Sequence, residues 1–187
     1  MICQNKFNKF NQISQKFSQI WLNLAFKKRE KMKQITNIYL FLIASIVGVE
    51  LSAGILVAPV IFGADKFIGE GVLSHFQSGQ LMTQVFLGYN KALIFVSVFA
   101  FLYEIINLIK NKTESFRPKF SAFMLSLLIL GLALLFVFYF TAYILVAQAA
   151  QTTGSDEFMS VHKASEMTMK IMVLAQIALF FIRASKK

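Results

Sequence analysis

The chain has 187 residues, 57% of them apolar, with 21 Phe, one Cys and a formal net charge of +10. That composition excludes a soluble domain with an ordinary polar surface, and a lone Cys3 excludes an internal disulfide or a thiolate metal site. The charge does not mark a nucleic-acid partner: eight of the 19 Lys and Arg lie in residues 1–34, opposed there only by Glu30, and no folded basic face remains outside the apolar stretches.

Residues 1–34 form a basic leader. Phe7, Phe10, Ile13, Phe17, Ile20, Trp21 and Leu24 recur at helical spacing, with Lys6, Lys9 and Lys16 between them. This pattern predicts an amphipathic helix lying among the headgroups of the inner leaflet. The alternative is an upstream extension, residues 1–31, ahead of a natural start at Met32. The membrane domain then occupies residues 35–187.

Residues 36–62 carry one charge, Glu50, and residues 120–148 carry none. Each is long enough as a helix to cross a hydrocarbon core of about 30 Å. Two weaker spans are expected at 92–109, interrupted by Glu104, and at 158–182, which holds Lys163, Glu166 and Lys170. Residues 72–109 contain no Pro, and a single helix over them would reach about 57 Å. A break at Gly88, Tyr89, Asn90 and Lys91 is therefore expected, leaving an amphipathic helix on the outer side.

The connections alternate in charge. The leader is basic, Asp65, Lys66 and Glu70 follow the first span, and Lys110, Lys112, Arg117 and Lys119 follow the second. Asp156 and Glu157 follow the third, and the tail ends in Arg183, Lys186 and Lys187. Cytoplasmic loops retain Lys and Arg, which puts both termini inside. The expected fold is all-α: a polytopic four-helix membrane bundle with an extra outer-side amphipathic helix and a basic N-terminal one.

Charges inside spans are the best pointers to function, because each costs on the order of 3 kcal/mol near the bilayer centre unless paired or hydrated. Glu50 and Lys170 have similar depth and opposite sign, and are expected to pair, with Glu166 on the same face as Lys170. A proton or ion relay and an ion pair that fixes helix register both satisfy that arrangement. His75 and His162 are both expected near the outer face. As imidazoles with Met residues nearby they are candidate ligands for copper or haem iron, or ordinary interfacial hydrogen-bonding groups.

The stretch GVELSAGILVAPVIF, a third apolar span, and FMSVHKASEMT opening the fourth resemble the transmembrane protein 205-like family, a bacterial four-span domain of unknown function. The positions that carry the resemblance are Val57, Ala58, Pro59, Val60, Ile61 and Phe62 in the first span, and Phe158, His162 and Ser165 in the fourth, within residues 36–183. That family is distantly similar to copper-resistance D membrane proteins and haem-binding protoporphyrinogen oxidases. The resemblance thus implies haem or copper as an alternative, although the first span holds Glu50 and no His to serve as an axial ligand. The expected protein is a non-enzymatic, multi-pass component of a bacterial inner membrane with no cofactor; a small-solute or ion permease and a haem- or copper-binding protein are the alternatives. Its expected partners are the lipid bilayer, a second copy or other membrane proteins, and no nucleic acid.

Overall fold

A computed structural model describes residues 2–111 and 114–185; within the first helix it describes the side chains of residues 16, 19, 20, 22, 23, 26, 27 and those from 30 onward. The elements in order are α1 (Ile2–Ser52), a π-helical turn (Ala53–Val57), α2 (Ala58–Phe62), α3 (Asp65–Ile68), α4 (His75–Lys110) and α5 (Phe116–Leu134). A second π-helical stretch (Leu135–Thr141), α6 (Ala142–Ala149) and α7 (Asp156–Ala184) complete the chain, with no strand among the described residues. Among the described residues four stretches are long and apolar enough to cross a membrane: Glu30–Phe62, His75–Lys110, Phe116–Ala149 and Asp156–Ala184, the first to fourth spans.

The chain divides into two units, Met1–Ile38 and Tyr39–Lys187. The described part of the first unit is helical, and on its exposed surface Lys33 pairs with Glu30 at 3.7 Å. The amphipathic face expected of Phe7, Phe10, Ile13, Phe17, Trp21 and Leu24 lies outside the described side chains; Ile20 is exposed.

The second unit is the bundle, and one spacing organises it. Tyr39, Ile43, Ile46 and Glu50 of α1 and Ala53 of the π turn after it are buried in the first span, and Tyr89, Leu93, Val96, Ala100, Glu104 and Asn107 along α4. Ala122, Ser126, Ile129, Ala133, Phe136 and Phe140 follow in the third span, and Ser165, Thr168, Met172, Ala175, Leu179 and Arg183 in the fourth. Steps of three and four residues keep a stripe facing neighbouring helices, as in left-handed bundles. The outward side is no less apolar: Phe41, Ile55, Phe95, Phe138 and Leu174 are all exposed. Glu50, Asn90, Ser97, Glu104, Ser126, Gln176 and Arg183 thus share the inner seam with apolar side chains, while large apolar residues cover the outside, as lipid requires.

Local signals set the element ends. Ser74 and Gln77 form a reciprocal capping box at the start of α4: Ser74 Oγ accepts from the Gln77 main-chain N–H at 3.2 Å, and Gln77 Oε1 accepts from that of Ser74 at 2.8 Å. Ser155 caps α7 by accepting from the Phe158 main chain at 3.1 Å, and Asp156 and Glu157 add negative charge to the first turn. Pro59 cannot donate within a helix. It sits in the first turn of α2, immediately after the π turn, where the change of winding accommodates it.

The expected break at Gly88, Tyr89, Asn90 and Lys91 does not occur, and the outer-side helix is instead the first part of an unbroken α4. Tyr89 and Asn90 turn inward and find polar partners on other spans, so no interfacial kink is needed to solvate them. Likewise the small residues Ala44, Gly48 and Ser52 line an exposed side of α1, and a Cβ on Gly48 would meet nothing.

Gly69 ends α3 at φ 101° and ψ 155°, a region open essentially to glycine alone. Gly69→Ala should destabilise the folded protein by about 1–3 kcal/mol, read as a lower detergent melting temperature. Gly48→Ala, in open helix, should leave that temperature unchanged or raise it slightly.

Candidate functional site

Two polar clusters lie on the buried seam and one polar stripe lies outside it. The first cluster is built on Arg183, near the end of α7, and Glu104 of α4, which are 4% and 0% exposed. Arg183 Nε donates to Glu104 Oε1 and Oε2 at 2.9 and 3.1 Å, and Nη2 donates to Oε2 as well. Nη1 donates to both oxygens of Glu114, at 3.2 and 2.9 Å. Tyr39 of α1 donates its hydroxyl to Glu104 Oε1 at 2.7 Å, its ring stacked on Tyr103. With its carboxamide oxygen turned to the guanidinium, Asn107 accepts from Nη1 and Nη2 at 3.1 and 2.7 Å. Lys119, buried in the first turns of α5, donates to the Asn111 carbonyl at 2.6 Å.

The formal charges of Glu104, Glu114, Arg183 and Lys119 cancel. The cluster also draws a side chain from each of the four spans. A buried guanidinium is tolerable only when its donors are met and its charge is opposed, and both conditions hold here.

The second cluster lacks that balance. Glu50 of α1 is 2% exposed. Its Oε1 accepts from the Tyr89 hydroxyl of α4 at 3.2 Å and from Gln176 Nε2 of α7 at 3.3 Å. Its Oε2 is buried without a hydrogen-bond partner among the described residues, as is Gln176 Oε1. Among the described residues no Lys, Arg or His forms an ion pair with Glu50. Nearby in sequence to Tyr89, Asn90 Nδ2 donates to Thr141 Oγ1 at 3.2 Å, and Thr141 donates to the Phe136 carbonyl within the second π-helical stretch at 3.0 Å. Asn90 Oδ1 and Ser97 Oγ are further buried atoms without partners.

The expected pairing of Glu50 with Lys170 is not formed. Lys170 lies two residues from both Thr168 and Met172 of the seam, about 200° round the helix from each, and points outward. It sits 3.7 Å from Glu166, whose other oxygen is 3.4 Å from His162 Nε2. These three make an i, i+4, i+8 stripe on α7, with Glu166 and Lys170 exposed and His162 half-buried. A surface groove of about 470 Å³ beside it is lined by Asp156, Met159, Ser160, His162, Lys163 and Glu166, all from α7.

His75 is not among those lining residues. Its ring packs on Phe62 at 5.4 Å, whereas His162 stacks on Phe158 at 5.7 Å. The described residues contain no group of three or more His, Cys, Asp or Glu that could hold a metal ion. Of the remaining motif positions, Val57 ends the first π turn, Ala58 and Pro59 open α2, and Ser165 is buried with its hydroxyl donating to the His162 carbonyl at 2.7 Å.

Sequence reasoning missed the Arg183 cluster. It counted Arg183 and Lys119 only as markers of orientation and Glu104 only as an interruption. The available signal was the spacing, since Glu104 and Arg183 each continue a buried stripe at three- or four-residue steps.

Four apolar spans closed around a polar seam define a multi-pass membrane protein of the helical-bundle class. A family model described as Domain of unknown function (DUF4149) matches residues 41–153, and the chain belongs to that family. No curated protein and no solved structure matches it. The matched region contains Glu50, Tyr89, Glu104 and Glu114, while Gln176 and Arg183 lie beyond it.

Breaking the first cluster from its two sides should not cost the same. Arg183→Met strands Glu104 without a counter-charge and should lower stability by about 3–5 kcal/mol. Glu104→Gln leaves the guanidinium with Glu114 and should cost less. The double variant should be more stable than the sum of the two losses predicts, as measured by unfolding of the detergent-solubilised protein. Strict additivity would show that the two side chains do not act as a pair.

Proposed function

We propose that the chain is a bacterial inner-membrane protein with both termini in the cytoplasm and a non-enzymatic role, and that this role is the permeation of a small ion or solute past Glu50. The observation that carries this reading is Glu50 itself: a carboxyl group in a span, 2% exposed, held by two neutral donors and opposed by no cation among the described residues. An ionisable group kept in such a place is costly, and is by default a functional-site candidate on an ion or proton path. The orientation rests on the alternation of Lys and Arg between connections. The resemblance to the transmembrane protein 205-like family, which covers residues 36–183, agrees with a four-span unit and adds no activity.

A scaffold or assembly role is the second reading. The Arg183 cluster favours it, because a fully bonded joint among all four spans makes a stiff bundle. The stripe His162, Glu166 and Lys170 supports a partner within the membrane, either a second copy or another membrane protein, since lipid solvates such groups poorly. A haem- or copper-binding role gains no support from His75 and His162, whose ring neighbours differ.

Two measurements decide between these readings. Reporter fusions after Gly154 should read the outer side and those after Asn111 the cytoplasm; a cytoplasmic Gly154 removes the proposed topology. Proteoliposomes holding the full chain should dissipate a proton or alkali-cation gradient faster than empty vesicles, and Glu50→Gln should reduce that rate at least tenfold. Leakage equal to that of empty vesicles under every gradient would leave the scaffold reading.

A further inference from the structure

We propose that the Glu50 site is a proton-binding site in which Glu50, as a neutral carboxylic acid, forms a cyclic acid–amide pair with Gln176. The inference deepens the permease reading, rests on the same site, and names the species that the site binds.

The argument begins from which atoms are used and which are left over. Glu50 and Gln176 are both planar groups with two polar atoms, and they already meet through one atom each: Gln176 Nε2 donates to Glu50 Oε1 at 3.3 Å. The other atom of each group is buried without a partner, and both leftover atoms, Glu50 Oε2 and Gln176 Oε1, are acceptors. Two buried acceptors on groups already joined through their other atoms, neither of them met by a donor, are an unfavourable arrangement in an apolar bundle. One proton on Glu50 Oε2 removes both deficits, because the new O–H donates to Gln176 Oε1 and closes the ring of two hydrogen bonds.

The same proton makes sense of Oε1. As the carbonyl oxygen of a neutral acid it has two lone pairs, and it accepts two hydrogen bonds, from Gln176 and from the Tyr89 hydroxyl at 3.2 Å. Every polar atom of the Glu50 carboxyl group and the contacting part of Gln176 is then satisfied, with no charge left in the seam.

The groups that face the carboxyl from the neighbouring elements are consistent with this. Tyr89 comes from α4 and Gln176 from α7, and the third span brings Phe136, whose ring packs against Tyr89 at 6.4 Å. None of these is a cation. Among the other carboxyls, Glu104 and Glu114 are held by Arg183 and the remaining six are exposed. Among the described residues Glu50 is thus the one buried carboxyl group with no cation against it.

Infrared spectroscopy of the full chain in lipid vesicles tests this without any transport assay. At pH 7 the wild type should show a carboxylic-acid C=O stretch above the amide I band, shifted to lower frequency in D2O. Glu50→Gln should abolish it. Gln176→Leu, which removes the ring partner, and Tyr89→Phe, which removes one donor, should each move the band or lose it, so the test stands even if Glu50→Gln fails to fold. A wild type without the band overturns the inference, as does a band that persists in folded Glu50→Gln or stays unshifted in both partner variants. Sodium or potassium raising the melting temperature of the wild type but not of Glu50→Gln, with no band present, would assign the site to an alkali cation instead. A band that behaves as expected in a protein that conducts nothing would leave the proton site standing and remove the permease reading.

Discussion

The need to satisfy polar groups where no water is available governs this molecule more than any apolar contact does. In lipid, apolar side chains gain little by facing one another, because the surroundings are equally apolar, and association comes from packing and from polar groups that must find partners. The Arg183 cluster is where that requirement is met most completely. Its guanidinium is divided between Glu104 and Glu114, Glu104 is also bonded by Tyr39, and Lys119 binds back to the chain at Asn111. Such a cluster forms only when the ends of the spans are in register. The joint therefore fixes the rotation and height of each helix, whatever its net free energy relative to an apolar replacement.

The seam is treated differently at its other polar layer. Around Glu50 the hydrogen bonds are longer, at 3.2 and 3.3 Å, and several buried atoms are left without partners. A partly satisfied polar layer is costlier per group than a closed one. The chain thus has one polar joint that is complete and one that is incomplete, on the same four helices.

Hydropathy made the four spans legible because their length and lack of charge need no tertiary information. The seam was harder to read for the same reason: where both faces of a helix are apolar, periodicity in hydrophobicity is weak, and only the polar residues record which side faces inward. Matching Glu50 to Lys170 used depth alone. Angular position reverses the choice, since Gln176 continues the buried stripe and Lys170 lies on the exposed side beside Glu166. The break expected near Gly88 failed on a related point. It rested on length, about 57 Å for one helix, whereas α4 runs unbroken and Tyr89 and Asn90 each reach a partner on another span, Glu50 and Thr141. Connections of that kind join residues 39 and 51 positions apart, beyond what local pattern can supply.

The backbone irregularities gather at the incomplete layer. The first π turn begins at Ala53, one turn after Glu50, and the second stretch ends at Thr141, which accepts from Asn90. A π turn leaves the regular i to i−4 ladder, and here the Phe136 carbonyl accepts from Thr141 Oγ1. Such segments cost stability and occur most often where a helix serves a function rather than a fold. The complete joint, by contrast, is built on α4 and α7, which run as α-helix without interruption. The two helices that stay regular hold the bundle, and the irregularity in the first and third spans is confined to the level at which Glu50, Tyr89, Asn90 and Thr141 meet their partners. That division places adaptability beside the one buried carboxyl group that has no cation, and rigidity beside the two that share one.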